Sequence, residues 1–418
     1  MIATRPRLVP AAALLAVLSV TTPAAAAPSP APTPQLTKTA ADALGRSIGT
    51  ALAASGARTI GASVEVEGYG GVYRRNSGVA VPPASTQKSF TGLSVLLALG
   101  PDARLRTEVA ATALPDAGRL TGHLWLVGGG DPYLSGAQLT ALAARVRAAG
   151  VTTVAGDLLL DDSRYDARRS AAGWRSSFVP GQSGPLSALA LDRNRWRGDK
   201  AFLADPALPV ATRFRDLLKA AGVTVTGAVR RAPRPVQATT VVVHESAPVA
   251  ALVTQVLKAS DNFAAELLLK ELGRTVRADG SSAGGIVATR QVLGPLGVPV
   301  GAGADGSGLS SLDRQTPTGQ VELLKAGRRS AVATRFRAAL PVACVDGTLK
   351  KRLCGTSAAG RVQAKTGTLS GVRTLAGYTT TARGRVVTFA FQLSGAADGA
   401  KALRAIDRAV VLLAGNRS

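Results

Sequence analysis

Three short segments of the chain combine hydroxyl, amino and amide side chains in patterns that suit acyl transfer. Each pattern occurs once, and in chain order they are Ser85-Thr86-Gln87-Lys88, Ser260-Asp261-Asn262 and Lys365-Thr366-Gly367. A serine hydroxyl is a weak nucleophile until a neighbouring base takes its proton, and a lysine can be that base when its surroundings depress its pKa. Because the chain has only two histidines, a lysine base is simpler here than a Ser-His-Asp triad.

Each of these residues also has an ordinary structural interpretation. Ser85 is typical of a helix N-cap, as are Ser260 and Asn262 before the next helix. Lys88 is typical of a solvated helix lysine, and Lys365 of an edge-strand lysine. The start of a helix nevertheless suits a nucleophile, because free backbone N–H groups and the helix dipole favour a developing negative charge. The joint occurrence of the three patterns, rather than any single residue, favours catalysis.

The three patterns resemble the motifs that line one cleft in penicillin-binding proteins and serine β-lactamases. More narrowly, the chain is similar to the D-alanyl-D-alanine carboxypeptidase/endopeptidase family, the low-molecular-mass class C penicillin-binding proteins. The resemblance extends over nearly the whole mature chain. Three segments favour this subgroup: Gly-Gly-Gly-Asp-Pro at 128–132, Ser-Asp-Asn-Phe-Ala-Ala-Glu at 260–266 and Asp-Gly-Ser-Gly-Leu-Ser at 305–310. For the last segment, a turn is the plain structural interpretation.

The resemblance implies catalytic roles for four residues. Ser85 would attack the carbonyl of the penultimate D-alanine while Lys88 accepts the serine proton. Ser260 and Asn262 would relay a proton to the leaving D-alanine and hold the backbone amide of the substrate.

Substrate binding is implied for the third motif and the residue after it. Lys365 and Thr366 would bind the terminal carboxylate of the substrate. The backbone N–H groups of Ser85 and Thr368 would form an oxyanion hole. Gly367 would let the substrate backbone approach its strand closely, as an added β-strand.

The fold implied by the resemblance is α+β and β-lactamase/transpeptidase-like. A central antiparallel sheet is flanked by helices and accompanied by a helical lobe. The residue patterns agree with this at both ends of the chain. Apolar residues have helical spacing over 36–54, and strand-like patterns at 362–366, 374–381 and 386–393 precede a helix at 400–413.

The middle of the chain has a different character, with strands and helices in alternation. One strand is expected from 120 to 127, directly before the triple glycine. The resemblance explains this part as an insertion between the first and second motifs. The predicted catalytic domain therefore comprises residues 36–104 and 241–418, interrupted by an inserted α/β region at 105–240.

The N-terminus has the three parts of a secretory signal. Two arginines precede an apolar run at 11–20, and small residues up to Ala27 supply a cleavage site. That run is shorter than the roughly 20 residues that span a bilayer, so a cleaved signal peptide at 1–27 is favoured over an anchor. A Pro/Ala-rich linker at 28–35 follows. The predicted location is beyond the cytoplasmic membrane, either extracellular, periplasmic or associated with the cell wall.

The two cysteines, Cys344 and Cys354, most simply form one disulfide in an oxidising compartment. The two histidines, His123 and His244, are distant from each other in the sequence, so they and the two cysteines are not expected to form a metal site. No cofactor is expected.

The formal charge of +24 invites a nucleic-acid hypothesis. The arginines are scattered, aromatic residues are not interleaved with them, and an exported protein rarely meets nucleic acid, so that partner is not expected. Attraction to anionic wall polymers fits better, and a solvated basic surface is the simplest interpretation. The partners implied by the resemblance are peptidoglycan stem peptides, with β-lactam antibiotics as covalent inhibitors.

The favoured function is that of an exported serine D-alanyl-D-alanine carboxypeptidase/endopeptidase, which cleaves peptidoglycan stem peptides through an acyl-enzyme on Ser85. A β-lactamase or an esterase on the same fold is one alternative, although the long insertion and the triple glycine are not expected there. A non-catalytic penicillin-binding or wall-binding protein is another, against which the intact motifs count. The balance between carboxypeptidase and endopeptidase action stays open.

Overall fold

The computed structural model describes residues 36–195 and 200–418. The predicted signal peptide at 1–27 and the linker at 28–35 lie outside the described residues. Among the helices of the described part, none is both long and apolar enough to cross a membrane.

The secondary structure alternates between strand-rich and helix-rich stretches. The strands are β1 (Thr59–Val66), β2 (Gly70–Arg75), β3 (Arg106–Ala111), β4 (Arg119–Leu120), β5 (Leu124–Val127), β6 (Thr153–Val154), β7 (Leu158–Asp161), β8 (Thr224–Val225), β9 (Val229–Arg231), β10 (Thr239–Glu245), β11 (Gln363–Leu369), β12 (Val372–Thr380) and β13 (Val386–Ser394). The helices are α1 (Lys38–Ala53), α2 (Gln87–Leu99), α3 (Gly136–Ala148), α4 (Phe178–Gly181), α5 (Lys200–Ala204), α6 (Ala207–Ala220), α7 (Val249–Ala259), α8 (Asn262–Arg277), α9 (Ser282–Leu293), α10 (Pro317–Arg329), α11 (Ala333–Ala339) and α12 (Gly399–Gly415). Short 3-10 turns lie at Ala84–Thr86, Asp192–Asn194, Gly294–Leu296 and Gly347–Leu349.

The main sheet has five antiparallel strands in the order β11-β12-β13-β1-β2. Because side chains alternate along a strand, β13 contributes to two cores at once. Phe389 and Phe391 belong to the apolar core that the sheet shares with α1 and α12. Ala390, between them, belongs to the core on the opposite face, which the sheet shares with the helical lobe. The α+β fold with a central antiparallel sheet is therefore confirmed.

The helical lobe is built around α2. Every α2 residue from Gln87 to Leu96 is buried, because helices pack around this segment on all sides. Its apolar residues Phe90 and Leu93 share a core with Leu268 of α8 and Phe336 of α11. A polar side chain near the start of α2 is consequently removed from water by the packing of the whole lobe.

The middle of the chain forms two further sheets. One has the order β10-β3-β5-β7-β9, and the other is a parallel sheet with the order β4-β6-β8. The strand expected over 120–127 is divided between them, because the backbone turns at Gly122, where φ is +103°. β10 pairs with β3 in the first of these sheets and runs from Thr239 to Glu245. This sheet therefore continues past residue 240, the expected end of the inserted region. The boundaries at 104/105 and 240/241 stay a prediction.

Cys344 and Cys354 form a disulfide across a sequence separation of 10 residues, as predicted. Within this loop, the Thr348 hydroxyl accepts a hydrogen bond from Thr366 on β11, with 2.8 Å between the two oxygens. The disulfide therefore restrains a loop that contacts the third motif.

Replacing both cysteines, Cys344→Ser with Cys354→Ser, should lower the free energy of unfolding by roughly 3 kcal/mol, because the bond restricts the unfolded chain. Urea unfolding of the oxidised wild type and the double variant measures this difference. Addition of reductant should bring the wild type close to the variant and leave the variant unchanged. Two thiols titrated in the unfolded, non-reduced wild type would contradict the bond.

Candidate active site

Ser85 lies in the 3-10 turn Ala84–Thr86, directly before α2, and is half-buried. The turn is tied to the main sheet through one carbonyl: Pro83 accepts hydrogen bonds from the hydroxyls of Thr86, at 2.7 Å, and of Thr374 on β12, at 2.9 Å. Ala84 has a φ of +49°, which is uncommon for a residue with a side chain. The predicted nucleophile therefore stands on a constrained turn.

Lys88 is fully buried one helical turn after Ser85. Its Nζ lies 3.0 Å from the Oγ of Ser85, 2.7 Å from the Oδ1 of Asn262 and 2.6 Å from the carbonyl oxygen of Ser307. The first and second motifs, which are more than 170 residues apart, thus meet at one nitrogen atom. Three acceptors match the three N–H bonds of an ammonium group.

Burial lowers the pKa of Lys88 to about 8, because the charged form loses its hydration. The nearby carboxylates of Asp305 and Asp261 act in the opposite direction, but more weakly. Lowering the pKa from 10.5 to about 8 raises the neutral fraction of the amine at pH 7 by roughly 300-fold. The surroundings of Lys88 therefore suit a base.

Lys365 on β11 is also fully buried. Its Nζ donates to the Oγ of Ser260 at 2.9 Å and to the carbonyl oxygen of Thr366 at 2.9 Å. Burial, with repulsion from Lys88, lowers the pKa of Lys365 well below its usual range. Ser260 meets this amine from a left-handed conformation, with φ at +57°, at the C-terminal end of α7.

Gly367 and Thr368 lie further along β11, which is an edge strand of the main sheet. A Cβ atom on Gly367 would lie 2.1 Å from the Oγ1 of Thr374 and 3.0 Å from the carbonyl oxygen of Pro83. Only glycine therefore fits against the 3-10 turn Ala84–Thr86 that carries Ser85, called the serine turn below. Thr368 is exposed and lines a cavity of about 690 Å³ that Gln182 and Ser310 also line.

The segment at 305–310 has a role that the sequence interpretation missed. The buried Asp305 carboxylate accepts hydrogen bonds from the backbone N–H groups of residues 307 to 310. It also accepts from the Ser307 hydroxyl at 2.7 Å and from the Trp174 indole at 2.6 Å. The loop held in this way presents the Ser307 carbonyl to Lys88. An aspartate followed by Gly-Ser-Gly was the available signal, since such residues form side-chain-to-backbone turns.

Two more buried carboxyl groups surround this loop. Glu266 accepts from the N–H of Gly306 at 2.7 Å and from the Ser282 hydroxyl at 2.5 Å. Burial and repulsion from Asp305 raise the pKa of Glu266 to about 7 and that of Asp313 to about 10. The crowding of these carboxyl groups therefore favours protonated, uncharged forms at this loop.

All the residues predicted for the site lie on three elements that meet here: the start of α2, the connection from α7 to α8, and β11. The histidines do not take part in these contacts: the Nδ1 of His123 accepts from the N–H of Asp157, and the Nε2 of His244 lies 3.5 Å from the Asp131 carboxylate. Within residues 36–195 and 200–418, no cluster of His, Cys, Asp and Glu side chains is arranged to hold a metal ion.

A buried lysine amine beside a serine hydroxyl, next to the edge of a five-stranded antiparallel sheet, is an arrangement suited to a serine acyl-transfer enzyme. Residues 53–199 and 200–416 match the model of the D-Ala-D-Ala carboxypeptidase 3 (S13) family. The chain belongs to this family, which confirms the predicted relationship.

Individual relatives agree with this assignment. The chain is 32% identical over 389 residues to the D-alanyl-D-alanine carboxypeptidase of an Actinomadura species, covering 73% of this chain and 72% of the relative. The crystal structure of penicillin-binding protein 4 from Haemophilus influenzae matches with a TM-score of 0.78 at 23% identity, covering 86% and 97% of the two chains. A penicillin G-acylated predatory endopeptidase from Bdellovibrio bacteriovorus shares the fold with a TM-score of 0.55 at 17% identity, covering 84% and 92%.

The contact between Gly308 and the serine turn gives a test of how the site is held. A Cβ atom on Gly308 would lie 1.9 Å from the carbonyl oxygen of Ala84, and the φ of Gly308 is +80°. Gly308→Ala should therefore destabilise the fold by at least about 1–2 kcal/mol through the left-handed backbone alone, and should also displace the serine turn.

Thermal unfolding and covalent labelling by penicillin measure the two effects of Gly308→Ala. Gly78→Ala is the matched control, because a Cβ atom there has nothing within 4 Å and the change should be silent. Equal behaviour of the two variants would contradict the close contact.

Proposed function

We propose that this chain is an exported serine D-alanyl-D-alanine carboxypeptidase/endopeptidase that cleaves peptidoglycan stem peptides through an acyl-enzyme on Ser85. The observation that carries the proposal is the buried Lys88 amine, 3.0 Å from the Ser85 hydroxyl, with a pKa lowered to about 8. A neutral amine has two N–H bonds and one lone pair. It can donate to Asn262 and Ser307 while it accepts the proton of Ser85.

Acylation then proceeds at the carbonyl carbon of the penultimate D-alanine. The Oγ of Ser85 bonds to this carbon as its proton passes to the Nζ of Lys88, and the carbonyl oxygen becomes an oxyanion. Backbone N–H groups of Ser85 and Thr368 are assigned to stabilise that charge. The C–N bond breaks, and the leaving D-alanine takes up, by way of Ser260, the proton that Lys88 received, which returns Lys88 to its neutral form. Water later hydrolyses the ester and frees Ser85.

Substrate capture is assigned to Lys365 and Thr366. A lysine whose pKa is depressed by burial and by a neighbouring cation gains most from a bound anion, so carboxylate binding should favour the protonated form of Lys365. The Lys365 amine donates a hydrogen bond to Ser260, so the proposed carboxylate-binding group lies beside the proposed relay residue. Binding of the terminal carboxylate and departure of the terminal D-alanine would thus occur at adjacent side chains.

β-Lactam antibiotics are proposed as covalent inhibitors of the same serine. A protein of this fold from Bdellovibrio is known in a penicillin G-acylated form, and this supports the proposal. A β-lactamase would lose a fluorescent penicillin label rapidly, a non-catalytic binding protein would acquire none, and a penicillin-binding protein would retain it. Release of D-alanine from a stem pentapeptide, compared with cleavage of a cross-linked dimer, separates carboxypeptidase from endopeptidase action.

Export is proposed from the N-terminal signal pattern and from the net charge, which is +24 for the full chain and falls by 2 to +22 without Arg5 and Arg7 of the signal, and which suits a surface among anionic wall polymers. The disulfide supports the same location, since such bonds persist mainly in oxidising compartments. Mass spectrometry of the mature N-terminus in a secreting host tests this, with cleavage after Ala27 as the expected result.

Ser85→Ala should abolish covalent penicillin labelling and release of D-alanine while the protein stays folded, because the loss of one half-buried hydroxyl at a helix start costs only about 0.5–2 kcal/mol. Intact-mass spectrometry after penicillin treatment, followed by peptide mapping, measures the adduct. Ser94→Ala is the matched control, because this hydroxyl lies on α2 and has no hydrogen-bond partner among the described residues. A stoichiometric adduct on Ser85→Ala would overturn the proposed nucleophile.

The rate constant of acylation at saturating penicillin should rise with pH through about 8 and then level off. The reason is that the protonated Lys88 amine, which predominates below its pKa, cannot accept the serine proton. Saturation keeps weaker carboxylate capture by a deprotonated Lys365 from lowering the observed rate at high pH. Lys88→Ala should remove this pH dependence and slow acylation by roughly 10²–10⁴-fold. A wild-type rate that is constant from pH 6 to 9 would argue against Lys88 as the base.

A further inference from the structure

Arg193, in the inserted region, is bound to the second motif. Its Nη1 lies 2.6 Å from the Oδ2 of Asp261, the residue between Ser260 and Asn262. The Asp261 side chain is only 5% exposed, and its other oxygen caps α8 by accepting from the N–H of Ala264 at 3.1 Å. One buried carboxylate therefore joins the start of α8, the second motif and the inserted region.

The backbone that carries Arg193 is unusual. Asp192, Arg193 and Asn194 have φ values of +48°, +61° and +49°, so three consecutive residues with side chains are left-handed. The Asn194 amide holds this turn, donating to the carbonyl of Pro185 at 2.8 Å and accepting from the N–H of Leu191 at 3.2 Å. Conformations of this kind persist where the surroundings impose them, and they concentrate at functional sites.

The triple glycine at 128–130 explains how this turn is held in place. A Cβ atom on Gly128 would lie 2.6 Å from the carbonyl oxygen of Ala188, and one on Gly130 would lie 2.0 Å from the Tyr165 hydroxyl. The N–H of Gly130 donates to that same Ala188 carbonyl at 2.8 Å. The glycines thus allow the chain leading to Arg193 to pack directly on the end of β5.

A second contact reaches Asn262 itself. The Nδ2 of Asn262 donates to the carbonyl oxygen of Gln182 at 3.1 Å, while its Oδ1 accepts from Lys88. The inserted region therefore contacts both the residue that precedes Asn262 and the amide group that Asn262 presents to Lys88.

We infer that Arg193 is a positioning residue for acylation: its ion pair with Asp261 keeps Ser260 and Asn262 aligned with Lys88 and Ser85. The inference rests on the proposed function. It assigns the inserted region a direct part in the reaction, in addition to any contact with the cell wall.

A second ion pair of similar kind provides a control that separates a positioning role of Arg193 from a merely structural one. Arg164, also in the inserted region, binds Glu271 on α8, with 2.5 Å between Nη2 and Oε1. Glu271 is ten residues beyond Asp261, about 15 Å along the helix, so this pair joins the same two parts of the chain away from the second motif. Arg164→Ala is therefore the matched control for Arg193→Ala.

The experiment measures the rate constant of acylation at saturating penicillin, the concentration for half-saturation and the melting temperature. Arg193→Ala should slow acylation by roughly 10- to 100-fold, the effect typical of a small misplacement of reacting groups. Arg193→Lys, which keeps the charge, should recover part of the rate. Arg164→Ala should lower the melting temperature at least as much and leave the rate constant unchanged.

Asp261→Asn tests the route through the carboxylate, because asparagine also caps a helix but carries no charge for Arg193. Loss of the Asp261 charge by itself lowers the pKa of Lys88, so the variants are compared at a pH above that pKa, where the amine is neutral in all of them. There Asp261→Asn should slow acylation as Arg193→Ala does, and combining the two should add little. If Arg193→Ala does not fold, Arg193→Lys and Asp261→Asn provide the same comparison.

The inference about Arg193 would be overturned, and the proposed function left standing, if the Arg193 and Asp261 variants were acylated at the wild-type rate. The same would follow if Arg164→Ala slowed acylation as much as Arg193→Ala. A wild-type protein that penicillin does not acylate would overturn the proposed function, and the inference with it.

Discussion

The burial of the Lys88 amine between a hydroxyl, an amide and a backbone carbonyl is the interaction on which the rest of the site depends. An amine out of contact with water loses the hydration that normally keeps it protonated, and this brings its pKa into the range where it can exchange a proton with Ser85. Burial without partners would be strongly destabilising. The acceptors from Asn262 and Ser307 are therefore as necessary as the burial itself.

Bringing these acceptors to Lys88 requires backbone segments to approach more closely than side chains allow. Gly308 lies against the carbonyl of Ala84, and Gly367 lies against that of Pro83. The serine turn is thus held between the Asp305 loop on one side and the edge strand β11 on the other. Asp305 organises its own loop through backbone N–H groups, so a single buried carboxylate sets the position of the carbonyl that Lys88 uses.

The region of the chain between β7 and α5 contributes to the same arrangement. Trp174 donates to Asp305, and Arg193 binds Asp261, so that region contacts both loops that carry acceptors for Lys88. In physical terms, residues between β7 and α5 and residues of the helical lobe share polar contacts around Lys88, so a change in either part alters the environment of that amine.

Local residue patterns were enough to assign the side-chain chemistry, because the serine, the two lysines and the asparagine appear in patterns that occur once each. The periodicity of β12, β13 and α12 agreed with the antiparallel sheet that the family resemblance implied. Local patterns record which side chain is present and which backbone it prefers. They do not record long-range packing. The division of residues 120–127 between two sheets, the carbonyl of Ser307 as a partner of Lys88, and the Arg193–Asp261 pair were therefore decided by tertiary structure. The same holds for the depressed pKa of Lys88, because desolvation arises only when distant segments exclude water from one amine.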